Sequence, residues 1–214
     1  MSDLNATVEA PQSEALNLPG EYPCGLTWDG KSFWHSDQAA KKIWSLDPTD
    51  GHILQEHNCP AVRADLAYDG SMLAQVGKRP KRLVLVDPSS GSWVHDLPIN
   101  PANGRTTGAE FSPDGLWLLL RNPTVIQLRK YPSMEVVREH AVRMTEPSGL
   151  TWCDGVVVVG EFTTGMFHAL DAASGRYRAF RRVPGKPTGM TWDGERIWYC
   201  DFPSRKARAI EPLG

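Results

Sequence analysis

Gly25-Leu26-Thr27-Trp28-Asp29-Gly30 returns as Gly149-Leu150-Thr151-Trp152-Cys153-Asp154-Gly155 and again as Gly189-Met190-Thr191-Trp192-Asp193-Gly194. Two looser copies, Asp65-Leu66-Ala67-Tyr68-Asp69-Gly70 and Ala109-Glu110-Phe111-Ser112-Pro113-Asp114-Gly115, fill the interval. The closing glycines stand at 30, 70, 115, 155 and 194, so the period is 40, 45, 40 and 39 residues. A fixed period of this length marks a repeat architecture in which each unit buries its apolar face against the next.

After each glycine the text reads as short strands separated by turns, clearest in the first copy at 32–36, 42–46 and 52–57, and no stretch carries a 3.6-residue period. A second landmark, Asp47-Pro48, Asp87-Pro88, Tyr131-Pro132, Asp171-Ala172 and Glu211-Pro212, keeps step with the first and reads as a turn. Four strands in about 40 residues is the size of a propeller blade. The last copy ends three strands in, and Leu18-Pro19-Gly20 resembles Val183-Pro184-Gly185 at the close of the fourth copy. The expected fold is therefore all-β: a five-bladed β-propeller of four-stranded blades, whose last blade is completed by an N-terminal strand. Residues 1–14 read as a polar tail and 15–214 as one domain, with blades near 23–60, 61–100, 105–143, 147–184 and 187–214 plus 15–20.

Of the 214 residues 41% are hydrophobic, with eight tryptophans, which is enough for a folded core. The formal net charge of −2 excludes a strongly basic nucleic-acid footprint. The first fourteen residues contain no apolar run suited to a signal peptide or membrane span, so a soluble cytoplasmic protein is expected. Cys24, Cys59, Cys153 and Cys200 show no Cys-x-x-Cys spacing and read as free buried thiols. No Walker loop, dinucleotide fingerprint, Gly-x-Ser-x-Gly or His-Glu-x-x-His motif occurs, so no nucleotide or organic cofactor is indicated. The recurring large residues Trp28, Tyr68, Ser112 or Phe111, Trp152 and Trp192, and Trp34, Trp117 and Trp198 on second strands, are expected to pack blade against blade.

Function is expected where the loop entering each innermost strand and the loop after each second strand emerge around the channel mouth. The positions after the second strands are Asp37, Gly77, Asn122, Glu161 and Asp201. Oxygen donors converging from Asp37, Asn122, Glu161 and Asp201 would suit Mg²⁺ or Ca²⁺, whereas an acid there also suits hydrogen bonding to its own turn. In the entering loops, Tyr22, Arg63, Asp65, Arg105 and Lys186 are candidates to orient a small, anionic molecule. Glu110 aligns with Leu26, Leu66, Leu150 and Met190, although an extra residue in this copy can shift its facing; a carboxylate there must be paired or used as an acid or base. His35 alternates onto the face of Asp37 and is the best histidine for proton transfer, ahead of His168. His57, His95 and His140 fall on outermost strands and read as surface residues.

Trp34-His35-Ser36-Asp37 leading into Lys42-Ile43-Trp44 and Asp47-Pro48 resembles blades of the NHL-repeat and virginiamycin B lyase-like propellers. The Ser112-Pro113-Asp114-Gly115 copy resembles the blade of gluconolactonase and regucalcin-type propellers. These resemblances imply a small-molecule enzyme, either a lyase opening a cyclic ester by Mg²⁺-assisted elimination or a lactonase using metal-activated water. They would place Asp37, Asn122, Glu161 and Asp201 on the metal, while the lyase family's catalytic histidine has no clear match; Glu110 or His35, chosen from their positions in the repeat, would transfer the proton. The alternative class is a non-catalytic propeller that binds a ligand or a protein partner; it predicts apolar rim residues such as Phe162 and Phe202 over a flat patch rather than a concave pocket. A ring of acids around a purely structural ion is a third arrangement.

Overall fold

A computed structural model of the chain describes residues 15–77, 80–100 and 105–213; the expected tail over 1–14 lies outside the described residues. Twenty strands form five four-stranded antiparallel sheets. Blade 1 contains β2 (Pro23–Trp28), β3 (Phe33–Asp37), β4 (Lys42–Leu46) and β5 (Ile53–Asn58). Blade 2 follows with β6 (Val62–Tyr68), β7 (Leu73–Gly77), β8 (Arg82–Val86) and β9 (Trp93–Pro98). Blade 3 contains β10 (Thr106–Ser112), β11 (Gly115–Arg121), β12 (Thr124–Lys130) and β13 (Glu135–Ala141), and blade 4 contains β14 (Pro147–Cys153), β15 (Val156–Glu161), β16 (Met166–Asp171) and β17 (Tyr177–Arg182). Blade 5 has β18 (Pro187–Trp192), β19 (Ile197–Asp201) and β20 (Lys206–Ile210), and its outer strand is β1 (Ala15–Asn17), paired with β20 from Ala15 opposite Arg208 to Asn17 opposite Lys206. The expected five-bladed ring with N-terminal closure is thus the observed fold.

The repeated Trp-Asp-Gly phrase builds the turn between first and second strands. Asp29 Oδ1 accepts the amides of Lys31 at 2.8 Å and Ser32 at 2.6 Å, and its Oδ2 accepts Trp34 Nε1 at 2.7 Å. Asp193 repeats this arrangement with Glu195, Arg196 and Trp198. Gly30 and Gly194 close these turns at φ of 93° and 103°, where a side chain would be strained.

Packing follows the ring. The innermost strands β2, β6, β10, β14 and β18 touch in succession, and β18 returns to β2. Five apolar clusters fill the five seams, and Trp28, Tyr68, Phe111, Trp152 and Trp192 each pack against one of them. His57 and His140, expected at the surface, instead clamp outer strands to the next blade: His57 Nε2 lies 2.9 Å from Pro88 O and His140 Nε2 lies 3.1 Å from Ala172 O. All four cysteines are free and buried.

Leu16 and Leu18 are 6% exposed and join the seam between blades 5 and 1 with Trp44, Leu46 and Trp198. They anchor the closing strand, whose own pairing is only three residues long. Leu16→Ala combined with Leu18→Ala is therefore expected to lower unfolding stability in urea by about 4 kcal/mol, at the low end of two buried leucine truncations because the seam lies near a chain end.

Candidate functional site

Ring closure brings the starts of the innermost strands and the ends of the second strands to one face, around a cavity of about 910 Å³. Its lining includes Tyr22, Arg63, Arg105 and Glu146 from the entering loops and Gln38, Arg121, Phe162 and Phe202 from the positions after the second strands, with Lys81 beside them. The lower wall carries Thr107, Ser148 and Thr188, whose hydroxyls donate to the next blade: to Pro147 O at 3.1 Å, Pro187 O at 2.5 Å and Pro23 O at 3.0 Å. These bonds fix neighbouring blades against one another where the cavity meets the channel.

Asp37, Glu161 and Asp201 occupy one equivalent position, as the sequence suggested, but they do not converge on a common point. Asp37 accepts the amides of Tyr22 at 2.5 Å and Ala40 at 2.8 Å. Glu161 accepts Thr145 N at 2.7 Å and Thr164 Oγ1 at 2.8 Å, with His168 Nε2 3.6 Å away. Asp201 accepts Lys186 N at 3.1 Å, Ser204 Oγ at 2.5 Å and Arg208 Nε at 3.0 Å. Each carboxylate therefore ties its own turn to the loop entering the innermost strand of its blade. Burial raises the Glu161 pKa and these hydrogen bonds outweigh it, so the carboxyl is held below its usual range.

Asn122 is not the blade-3 counterpart of these acids. Ala109 pairs with Leu118 as Leu26 pairs with His35, so the counterpart of Asp37 is the buried Leu120, and Asn122 sits exposed in the tight turn to β12. Among the described residues, the only set of three His, Cys, Asp or Glu side chains with ligand atoms within 4.8 Å of one another is Asp47, Asp50 and His52, on the turn before β5. The expected cation-holding residues thus do not fit one shared ion: three have their oxygens engaged locally, and the fourth lies two residues beyond the acid position of its turn.

The same register moves Glu110. It matches Thr27, Ala67, Thr151 and Thr191 rather than Leu26, which Ala109 matches. Glu110 faces the channel, where Oε2 accepts Thr151 Oγ1 at 3.2 Å and Thr191 Oγ1 at 3.0 Å, from blades 4 and 5. Burial pushes its pKa up to about 8, against the pull of these donors and the Phe111 amide. Neither Arg105 nor Arg121 partners it.

Asp65 is the second channel carboxylate and was expected in an entering loop. It lies fully buried where the other blades have Gly25, Gly108, Gly149 and Gly189. Those glycines face a bulky neighbour or its backbone: Leu66, Leu150, Met190 with Thr188, and the Gly25–Leu26 backbone, respectively. Asp65 faces Ala109, whose small side chain leaves it room. Oδ1 accepts the amides of Leu66 at 3.0 Å and Leu26 at 3.4 Å, and Oδ2 accepts Ala109 N at 3.3 Å. Burial raises its pKa well above the carboxylate range, and Glu110 adds to the rise. Asp65 thus joins the innermost strands of blades 1, 2 and 3, and Glu110 joins blades 3, 4 and 5.

His35 is fully buried and stacks on Trp44 at 5.9 Å. Nδ1 lies 3.0 Å from Gly25 O and Nε2 lies 3.2 Å from Pro19 O, and burial lowers its pKa to about 4. It packs against the chain segment entering blade 1, where as a neutral ring it can donate to one of the two carbonyls, and it does not line the cavity.

Tyr22, Arg63 and Arg105 line the mouth as expected, while Lys186 stands beside it with Nζ 5.2 Å from the centre of the Phe162 ring. The sequence pattern placed neither Lys81 nor Arg121 in the site. Arg121, Phe162 and Phe202 share the position one residue beyond the acid register, so the repeat itself carried the signal once blade 3 was correctly aligned.

Solved structures match most of the chain. A crystal structure of Myxococcus xanthus glutaminyl cyclase matches with a TM-score of 0.81 at 13% identity, covering 95% of this chain and 96% of that one. Virginiamycin B lyase from Staphylococcus aureus, in a catalytically inactive form with quinupristin, matches with a TM-score of 0.57 at 18% identity over 91% of this chain and 68% of that one. A chain of the nidogen/laminin complex gives 0.65 at 16% identity over 90% and 77%. Enzymes and a non-enzymatic assembly therefore share this fold, and at these identities the likeness is one of fold alone. No protein-family model and no curated protein matches the sequence. No helix among the described residues is long and apolar enough to cross a membrane.

Proposed function

We propose that the protein binds a small anionic molecule in the cavity at the channel mouth. The carrying observation is charge: Arg63, Lys81, Arg105 and Arg121 line the cavity against one carboxylate, Glu146, in a chain whose net charge is −2. A concave wall of one sign concentrates field lines and raises the local concentration of an oppositely charged ligand. The arginines are partly pre-set, since Arg63 Nη1 donates to Val62 O at 2.6 Å and Arg121 Nε donates to Pro147 O at 2.8 Å. Their remaining N–H groups suit an oxyanion. Phe162 and Phe202 line this concavity, which favours ligand binding over the flat protein-interaction platform.

At fixed ionic strength, benzoate and phosphate are expected to raise the melting temperature where benzamide does not, because binding to the folded state stabilises it by about 2.7 kcal/mol at a hundred times Kd. The double variant Arg105→Ala, Arg121→Ala should lose the response. Equal shifts with charged and neutral compounds would overturn the reading.

A second reading, hydrolysis or elimination of a lactone or cyclic ester as in a hydrolase or lyase, is favoured by Glu110, a channel carboxyl that keeps its proton at neutral pH and can act as an acid. On this reading Mg²⁺ or Ca²⁺ would need donors other than Asp37, Glu161 and Asp201. Turnover of a lactone panel, tried with each cation and abolished by Glu110→Gln, is its test; turnover unaffected by that change removes Glu110 from the chemistry.

A further inference from the structure

The mouth cavity has two unlike walls. Its cations come from adjacent blades 2 and 3: Arg63, Lys81, Arg105 and Arg121. Opposite them, blades 4, 5 and 1 contribute Phe162, Phe202 and Tyr22. Tyr22 and Phe202 meet edge to face at 4.8 Å and 82°, and Phe162 and Phe202 at 5.6 Å and 72°. The three rings thus form one connected wall, with Tyr22 still 45% exposed. Lys186 Nζ stands over the Phe162 ring, 5.2 Å from its centre. A bare inorganic anion would use only the cationic wall and leave these rings in water.

We infer that the ligand is an aromatic oxyanion, a carboxylate or phosphate ester carried on a flat apolar ring, with its head between the arginines of blades 2 and 3 and its ring against Tyr22, Phe162 and Phe202. This rests on the anion-binding reading above and specifies the class of molecule. Edge-to-face rings present faces and edges to which a further aromatic group adds in the same geometry. Four cations on the opposite side, against Lys186 alone over Phe162, then favour the direction in which the ligand lies, its charge toward the arginines and its ring against the aromatic wall.

Calorimetric titration of the full chain at constant ionic strength, with 2-naphthoate, 2-naphthyl phosphate, 2-naphthamide and acetate, tests the assignment. At least one naphthyl anion should bind roughly tenfold or more tighter than both acetate and naphthamide. Tyr22→Ala with Phe202→Ala should weaken that naphthyl anion by about tenfold and leave acetate unchanged, whereas Arg105→Ala with Arg121→Ala should weaken both anions. Acetate binding as tightly as the naphthyl anions, or indifference to loss of the rings, would overturn the aromatic class while leaving anion binding intact. Absence of binding by every anion would overturn both. Far-ultraviolet circular dichroism of each variant, unchanged from the parent, confirms that affinity and not folding is being read.

Discussion

Asp65→Ala is expected to lower the melting temperature by roughly 10 °C, corresponding to about 3 kcal/mol in a chain of this size. The carboxylate collects amides from Leu26, Leu66 and Ala109, the innermost strands of three blades, inside the channel. Each orphaned buried amide costs about 1–3 kcal/mol if nothing replaces its partner. Two effects reduce the sum: water can enter a polar channel, and removing the carboxyl also removes the cost of its burial. The loss of three acceptor contacts still outweighs these. Asp65→Asn keeps one carbonyl oxygen and should fall between the parent and alanine. Differential scanning calorimetry at neutral pH measures all three, and a melting temperature unchanged in Asp65→Ala would show that the carboxylate does not hold the strands together.

Glu110→Gln should remove a pH dependence from stability. The folded-state pKa of Glu110 is raised from 4.5 to about 8, so between these values the folded protein retains a proton that the unfolded chain has released. Its stabilising contribution is full below the unfolded pKa, declines as pH rises through the interval, and is gone above about 8. The linked loss is on the order of 5 kcal/mol. Glutamine keeps an acceptor for Thr151 and Thr191 without an ionisable proton, so denaturant midpoints from pH 5 to 9 should fall in the parent and stay flatter in the variant. A parallel decline in the two proteins would assign the pH dependence to other groups, with Asp65 next in line because its pKa is raised in the same direction.

The blade count and the closing strand were legible because a ring of similar units repeats its local requirements. Each blade needs an acceptor at the turn, hence Asp29 and Asp193, and most need a glycine where neighbouring innermost strands approach, hence Gly25, Gly108, Gly149 and Gly189. The channel mouth followed from the fold, and Tyr22, Arg63 and Arg105 line it. Blade 3 misled the alignment. Its turns span as many residues as those of blade 1, but its marker glycine, Gly115, stands four residues after Phe111 where Gly30 stands two after Trp28, so counting from the glycine matched Asn122 to an acid position that Leu120 occupies, and Glu110 to an apolar position that Ala109 occupies. Hydrogen-bond register, which sequence spacing only approximates, settles such shifts.

Sequence by itself determined the ring, because packing and turn geometry are local demands repeated about every 40 residues, and it marked the residues that break the repeat. Tertiary structure alone decided what those residues do. Asp37, Glu161 and Asp201 carry the residue types of a cation site, yet their oxygens serve their own turns, and only coordinates reveal which lone pairs are already engaged. Asp65 and Glu110 lie 45 residues apart in sequence, and each reaches strands of other blades only because the innermost strands converge on one channel. The aromatic wall has the same origin: Phe162 and Phe202 meet across consecutive blades, and Tyr22 joins them only when the first blade closes against the last, a contact that no local reading of the sequence contains.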